Sequence, residues 1–258
     1  MSPTAASRFL PAHFLTLASA AIVLAALPPG RANPPGFPPF ASGEYAAAGL
    51  APHEPDVTVE YPGTAAMNGI PSGTATVTVL VDAAGKPQDF LVVGYSHPAF
   101  GTALREQLRT CHFQPARFRG TAVPGRYDYT YYFETSAAVL YASGAAAVGA
   151  HPTDPVVIYK SVPETKIDGS LEFLTVAFPP LPEGFKAPDD KPVKVYVTFF
   201  IDETGHVRIP KVESASSPLL IPGAIAAIQQ WTFKPPLVKG KPALVYTGRP
   251  VKFMPRTK

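Results

Sequence analysis

Six histidines, 19 carboxylates and a single cysteine are the side chains of this 258-residue chain that could carry acid–base, nucleophilic or metal chemistry. Their spacing supports none of it. The histidines are scattered without ligand spacing, and no His-Glu-x-x-His, nucleophile elbow or glycine-rich phosphate loop occurs. Asp82 and Asp202 stand in Asp-x-x-Gly turns, which accounts for them without catalysis. Cys111, being alone, excludes an internal disulfide and a cysteine-based metal framework. The chain reads as a non-enzyme that needs no cofactor.

The chemistry that remains is recognition by the backbone. In "GRYDYTYYFE", residues 125–134, Tyr127, Tyr129, Tyr131 and Phe133 fall on one face of a strand. An edge strand offers a row of unpaired N–H and C=O groups to which an extended peptide can add, with the aromatics helping to hold it. The same row also suits a face half-buried under a helix, and the residues leave both readings open. Val245, Thr247 and Val251 are the counterparts in "VYTGRPVK", where Pro250 removes one donor. Val59 and Tyr61, in the lead-in "VTVEYP", form a third candidate group. Proline at Tyr129 or Val251 is the change expected to abolish peptide addition.

The elements that position these residues occur twice. A shift of 120 positions aligns residues 75–133 with 195–253 without a gap, with 11 identical pairs among 59. These include Asp82 and Asp202, Gly85 and Gly205, Phe113 and Phe233, Pro115 and Pro235, and Gly120 and Gly240. Identities at turn and core positions mark a duplicated unit. In each copy an alternating strand runs into Asp-x-x-Gly, which predicts a hairpin. Pro210 places the returning strand at a sheet edge. Ser-His-Pro and Ser-Ser-Pro then start a helix whose apolar face is Phe100, Leu104, Leu108 and Cys111, or Leu220, Ala224, Ile228 and Trp231. After Phe-x-Pro a third strand follows. The fold class is therefore α+β: two tandem small domains, each a three-stranded antiparallel sheet with one helix packed on a face.

Bulk properties fit this plan. Proline, at 32 residues, is over twice its usual share of about 5%, so the chain is heavily punctuated. The net charge is only +3 and no long basic run occurs, which argues against a nucleic-acid partner. Two groups of cations, Arg105, Arg109, Arg117, Arg119 and Arg126, and Lys234, Lys239, Lys241, Arg249 and Lys252, read as a solvated face or as a surface for an acidic partner. Residues 14–27 are apolar or small, too few for about 30 Å of hydrocarbon, and Gly30 and Ala32 suit a cleavage site. Residues 1–32 thus read as a signal peptide cleaved near Ala32, with an uncleaved membrane anchor as the alternative. The remaining plan is a proline-rich lead-in over 33–55, a domain over 56–135, an Ala/Gly-rich linker over 136–160 and a second domain over 161–258.

The run "VYVTFFIDETGHV", then "SSPLLIPGAIAAIQQWTFKPPLVKGKP", resembles the C-terminal domain of TonB-type energy transducers, and the first copy resembles a more divergent member. The resemblance covers about 57–134 and 176–254. It implies a periplasmic location and a partner that is an outer-membrane transporter, or another periplasmic peptide segment, gripped by edge-strand addition. Pairing of the same edges between chains would give a homo-oligomer. The prolines of 28–39 span only about 40 Å even as polyproline II. A tandem binding adaptor without energy transduction therefore stands beside the transducer reading.

Overall fold

A computed structural model describes residues 33–52, 56–134, 156–187 and 192–254. The first copy opens with a helical turn, Gly63–Met67 (α1), and continues with Ser72–Val81 (β1), Pro87–Tyr95 (β2), Pro98–Leu108 (α2) and Gly125–Glu134 (β3). Two short strands follow, Tyr159–Lys160 (β4) and Val162–Pro163 (β5). The second copy holds Lys194–Ile201 (β6), Val207–Ser214 (β7), Leu220–Ile228 (α3) and Val245–Lys252 (β8). The order hairpin, helix, strand is thus present twice. Residues 1–32, where a leader cleaved near Ala32 is expected, and residues 136–155 lie outside the described residues. Among those described, no helix is long and apolar enough to cross a membrane.

The shared frame has a local cause. Gly85 and Gly205 take φ of 84° and 91°, as the tight hairpin requires. The carboxylate of Asp202 accepts from the Thr204 and His206 amides, both at 3.0 Å, and that of Asp82 from Ala84 and Lys86, both at 2.9 Å. The hairpin then docks on the Phe-x-Pro segment, where the Phe233 amide donates to the Gly205 carbonyl at 2.8 Å. Arg119-Gly120 and Lys239-Gly240 both have positive φ throughout, the mark of a type I′ turn. Trp231 is buried, donates from Nε1 to the Ala177 carbonyl at 2.8 Å, and meets Phe173 edge-on. The repeated residues therefore close helix and hairpin onto the sheet.

Burial of Asp202 by itself would raise its pKa, but hydrogen bonds from Thr204 and His206 and the nearby Arg208 charge outweigh it, and its carboxyl sits below its ordinary value. A folded pKa below the unfolded one, about 3.9, contributes stability that is present above that value and lost as pH falls through the folded pKa. Asp202→Asn is expected to cost about 1 kcal/mol at pH 7 and much less at pH 2. Urea midpoints across that range check it.

Each sheet has two buried faces. Ala75, Val77, Val79 and Val81 lie under α2, and Val195, Val197, Phe199 and Ile201 under α3. The opposite faces meet each other through Leu80, Leu91 and Val93 of the first copy and Phe200, Ile209 and Leu244 of the second. The result is a helix–sheet–sheet–helix stack in which β7 crosses β1, β2 and β3. Arg208 fixes the seam, donating to both Asp89 oxygens at 2.7 and 2.6 Å. Ile209 adopts φ of 46°, unusual for a β-branched residue, at a register shift next to Pro210. That bulge turns its side chain into the seam.

Both sheets differ from the three-stranded expectation by one strand. The first has the order β3–β1–β2–β4 and the second β5–β8–β6–β7. The added strands come from one stretch, 159–163, which pairs antiparallel with β2 and then parallel with β8. As Pro210 requires, β7 is an edge strand. The described lead-in is folded too: Tyr45–Ala46 pairs with 117–118, Gly49–Leu50 with 113–114, and Phe40 stacks on Tyr45 at 4.9 Å.

Candidate functional site

Strand geometry decides which groups face outward. Thr74 points its backbone at β2, since its carbonyl accepts from the Ser96 amide at 2.9 Å and its amide donates to Ser96 Oγ at 2.9 Å. Odd-numbered residues of β1 therefore face β3, and the unbroken register sets them opposite odd-numbered partners, such as Val77 opposite Tyr129. Tyr127, Tyr129 and Tyr131 thus turn their backbone inward. The outward groups belong to Arg126, Asp128, Thr130 and Tyr132. Among the described residues no backbone group pairs with them.

The three tyrosines flank this edge on the helix side. Each is half-buried, and Tyr127 lies edge-on to Phe113 and 5.9 Å from Tyr129. Burial pushes the phenols of Tyr127 and Tyr129 above their ordinary pKa, so both stay neutral hydroxyls. The Tyr131 hydroxyl accepts from the Val59 amide at 3.4 Å. Val59 is buried, and Tyr61 sits edge-on to Phe100 and Phe133 with its hydroxyl donating to the Ile70 carbonyl. Val59 and Tyr61 therefore support the tyrosine face from behind.

On the opposite face Arg126 is buried in the seam, 5.7 Å from the Phe200 ring and 5.4 Å from that of Tyr246. Its Nε lies 3.3 Å from Asp128, whose Oδ1 accepts from Thr78. Burial would lower the guanidinium pKa, but Asp128, Tyr246 and Glu213 raise it further, so a cation is retained. The first copy's edge is thereby tied to the second copy.

The second copy's edge is differently placed. The Leu244 carbonyl accepts from Val162 at 2.9 Å, and Met254 exchanges bonds with Pro179 and Leu181 at 2.9 and 3.0 Å. Even-numbered residues again face outward, so Val245, Thr247 and Val251 are buried with their backbones toward β6. Pro250 faces out and has no N–H to offer. Tyr246 is paired with Pro163, and the Gly248 carbonyl accepts from Arg249. Glu164 joins Thr247 Oγ1 and both terminal nitrogens of Arg249. This edge is covered by the chain itself.

Other cations of the two sequence groups are also engaged. Lys234 pairs with Glu172, Arg109 with Glu106, and Arg119 with Glu44. Sequence reasoning missed the outward set Arg126, Asp128, Thr130 and Tyr132. A signal existed: Pro250 aligns with Thr130, and a proline inside a strand must face away from the ladder. It also missed the strand at 159–163, although "VVIY" is rich in β-formers.

No curated protein and no solved structure matches the chain. The profile described as Gram-negative bacterial TonB protein C-terminal matches residues 57–135 and again 193–255, together more than half of the chain. The two matches coincide with the two hairpin–helix–strand units, and on that ground the chain belongs to the TonB C-terminal family and carries its domain twice.

Proposed function

We propose that this chain is a periplasmic TonB-like protein that takes up an extended segment of an outer-membrane transport partner as a new strand beside Gly125–Glu134. The observation that carries the reading is the uncovered, proline-free row of outward groups at Asp128, Thr130 and Tyr132, flanked by Tyr127, Tyr129 and Tyr131, the first two held neutral by burial. A strand added there gains backbone bonds, and Tyr127, Tyr129 and Tyr131 contact its side chains. The leader over 1–32 would deliver the chain to the periplasm, either released near Ala32 or held in the inner membrane.

One observation favours an adaptor over an energy transducer. Tyr45–Leu50 are already packed on the first copy, which shortens any free spacer between leader and domain. Reach across the periplasm then needs a second protein. A homo-oligomer formed through β3 would use the same edge and so compete with the partner.

Hydrogen exchange tests the reading directly. A synthetic extended peptide from the periplasm-exposed segment of an outer-membrane transporter is expected to slow the amides of Asp128, Thr130 and Tyr132 by at least tenfold. The amides of Tyr127, Tyr129 and Tyr131, already in the ladder, change little. Binding that leaves the outward amides unprotected sinks strand addition at this edge.

A further inference from the structure

The receptor edge of the second copy already holds a ligand, and that ligand belongs to the same chain. Val162 and Pro163 run parallel to Val245 and Tyr246, with the Val162 amide on the Leu244 carbonyl at 2.9 Å. The backbone pairing covers only these two residues. The residues just before it, 159–160, pair with β2, and beyond them Val156 and Ile158 are 80% and 65% exposed. A side chain supplies the anchor. The Glu164 carboxylate takes Arg249 through both oxygens, at 2.8 Å from Nη1 and 2.5 Å from Nη2, and also accepts from Thr247 Oγ1. The two side chains are 24% and 29% exposed, within reach of a competitor.

The chemistry of this edge is basic. Arg249 is joined toward the far end of the strand by Lys252, which stands opposite Lys194. The matching positions of β3 are Tyr129 and Tyr132, so the first copy carries no such cations. A bidentate guanidinium beside a hydroxyl selects a carboxylate by geometry as well as charge.

We propose that the second copy is a further strand-accepting site, specific for an extended segment that carries a carboxylate one residue beyond its pairing residues. Val162–Glu164 is its internal ligand. Of the two matching third-strand edges, the one on the first copy is then open, and the one on the second opens when an acidic strand displaces its own segment. The first copy favours a neutral strand and the second an acidic one.

The test uses the full chain with Thr130→Pro throughout, which silences the first edge. The probe is a fluorescein-labelled synthetic peptide with the sequence of residues 156–168, followed by anisotropy. The chain with its own Glu164 is expected to bind the probe weakly. Glu164→Ala releases the internal ligand and tightens probe binding at least tenfold. Adding Arg249→Ala returns it to the weak level, as does a probe whose glutamate is alanine. No gain on Glu164→Ala, with circular dichroism and thermal midpoint unchanged, overturns the proposal and leaves 162–163 as a structural strand. Equal binding of the probe without its glutamate overturns the carboxylate specificity. Where Glu164→Ala melts the second copy, Glu164→Gln keeps the shape, loses the charge and carries the same comparison. Because the first edge is silenced, failure here is separate from failure of the reading of β3.

Discussion

Thr130→Pro is expected to weaken capture of an extended peptide by roughly 30- to 150-fold while leaving the fold intact. Thr130 faces its backbone outward from β3, so proline removes a backbone donor from the exposed edge and none from the backbone ladder to β1, losing there only the hydroxyl contact with Thr76 at 2.9 Å. The second copy already carries proline at the matching position, Pro250, in a strand of unbroken register against β6. The fold therefore tolerates that ring. Losing one backbone bond and leaving the peptide's carbonyl without its donor costs about 2–3 kcal/mol, which corresponds to that range. Tyr129→Pro, the change suggested by the sequence, is a poorer test. Tyr129 points its amide at β1 opposite Val77, so proline there breaks the sheet itself. Calorimetric titration with thermal midpoints separates the two: Thr130→Pro loses binding at a nearly constant midpoint, Tyr129→Pro loses both. Unchanged affinity in folded Thr130→Pro would falsify edge addition at this strand.

Gly205→Ala is expected to destabilise the second copy by at least about 3 kcal/mol. Two costs combine. The residue holds φ of 91°, strained for any side chain, and a Cβ there would lie 1.9 Å from the Phe233 carbonyl oxygen. That oxygen is backbone and cannot rotate away, and moving it strains the Phe233 amide bond to Gly205. Two other glycines grade the argument. At Gly85 the nearest atom to a new Cβ is the Phe113 carbonyl oxygen at 2.7 Å, so the clash is milder. At Gly120 φ is 78° but nothing lies within 4 Å, so only the dihedral cost of about 1 kcal/mol remains. Urea unfolding is expected to rank the alanine variants Gly205, Gly85, Gly120 in falling order of damage. Equal losses at all three would mean that docking of the hairpin on Phe-x-Pro is not what holds these glycines.

Much of the fold was legible because its signals are local. Asp-x-x-Gly announces a hairpin whichever sheet it joins, and Phe100, Leu104 and Leu108 mark a helix face by spacing alone. The inter-copy seam was less legible. Phe199-Phe200-Ile201 is a continuous apolar run that breaks the alternation expected of a strand with one wet face, and Leu80 does the same in β1. Those residues signal a second buried face but do not name what covers it. Of the candidate site, the strand 125–134 was found and its outward residues were not. Composition gives a strand its face, whereas the parity of its backbone groups depends on which neighbour it pairs with.

The sequence by itself determined the duplication, the two α+β units, the turns and helix faces that build them, and the edge position of β7. All of these rest on residues within a few positions of one another, or on a direct comparison of the two copies. The tertiary structure alone decided which edge is open. Glu164 reaches Arg249 across 85 positions, and Pro179–Leu181 closes the far end of the same strand. Occupancy of an edge is a property of where distant chain runs in space, and no local pattern in β3 or β8 records it.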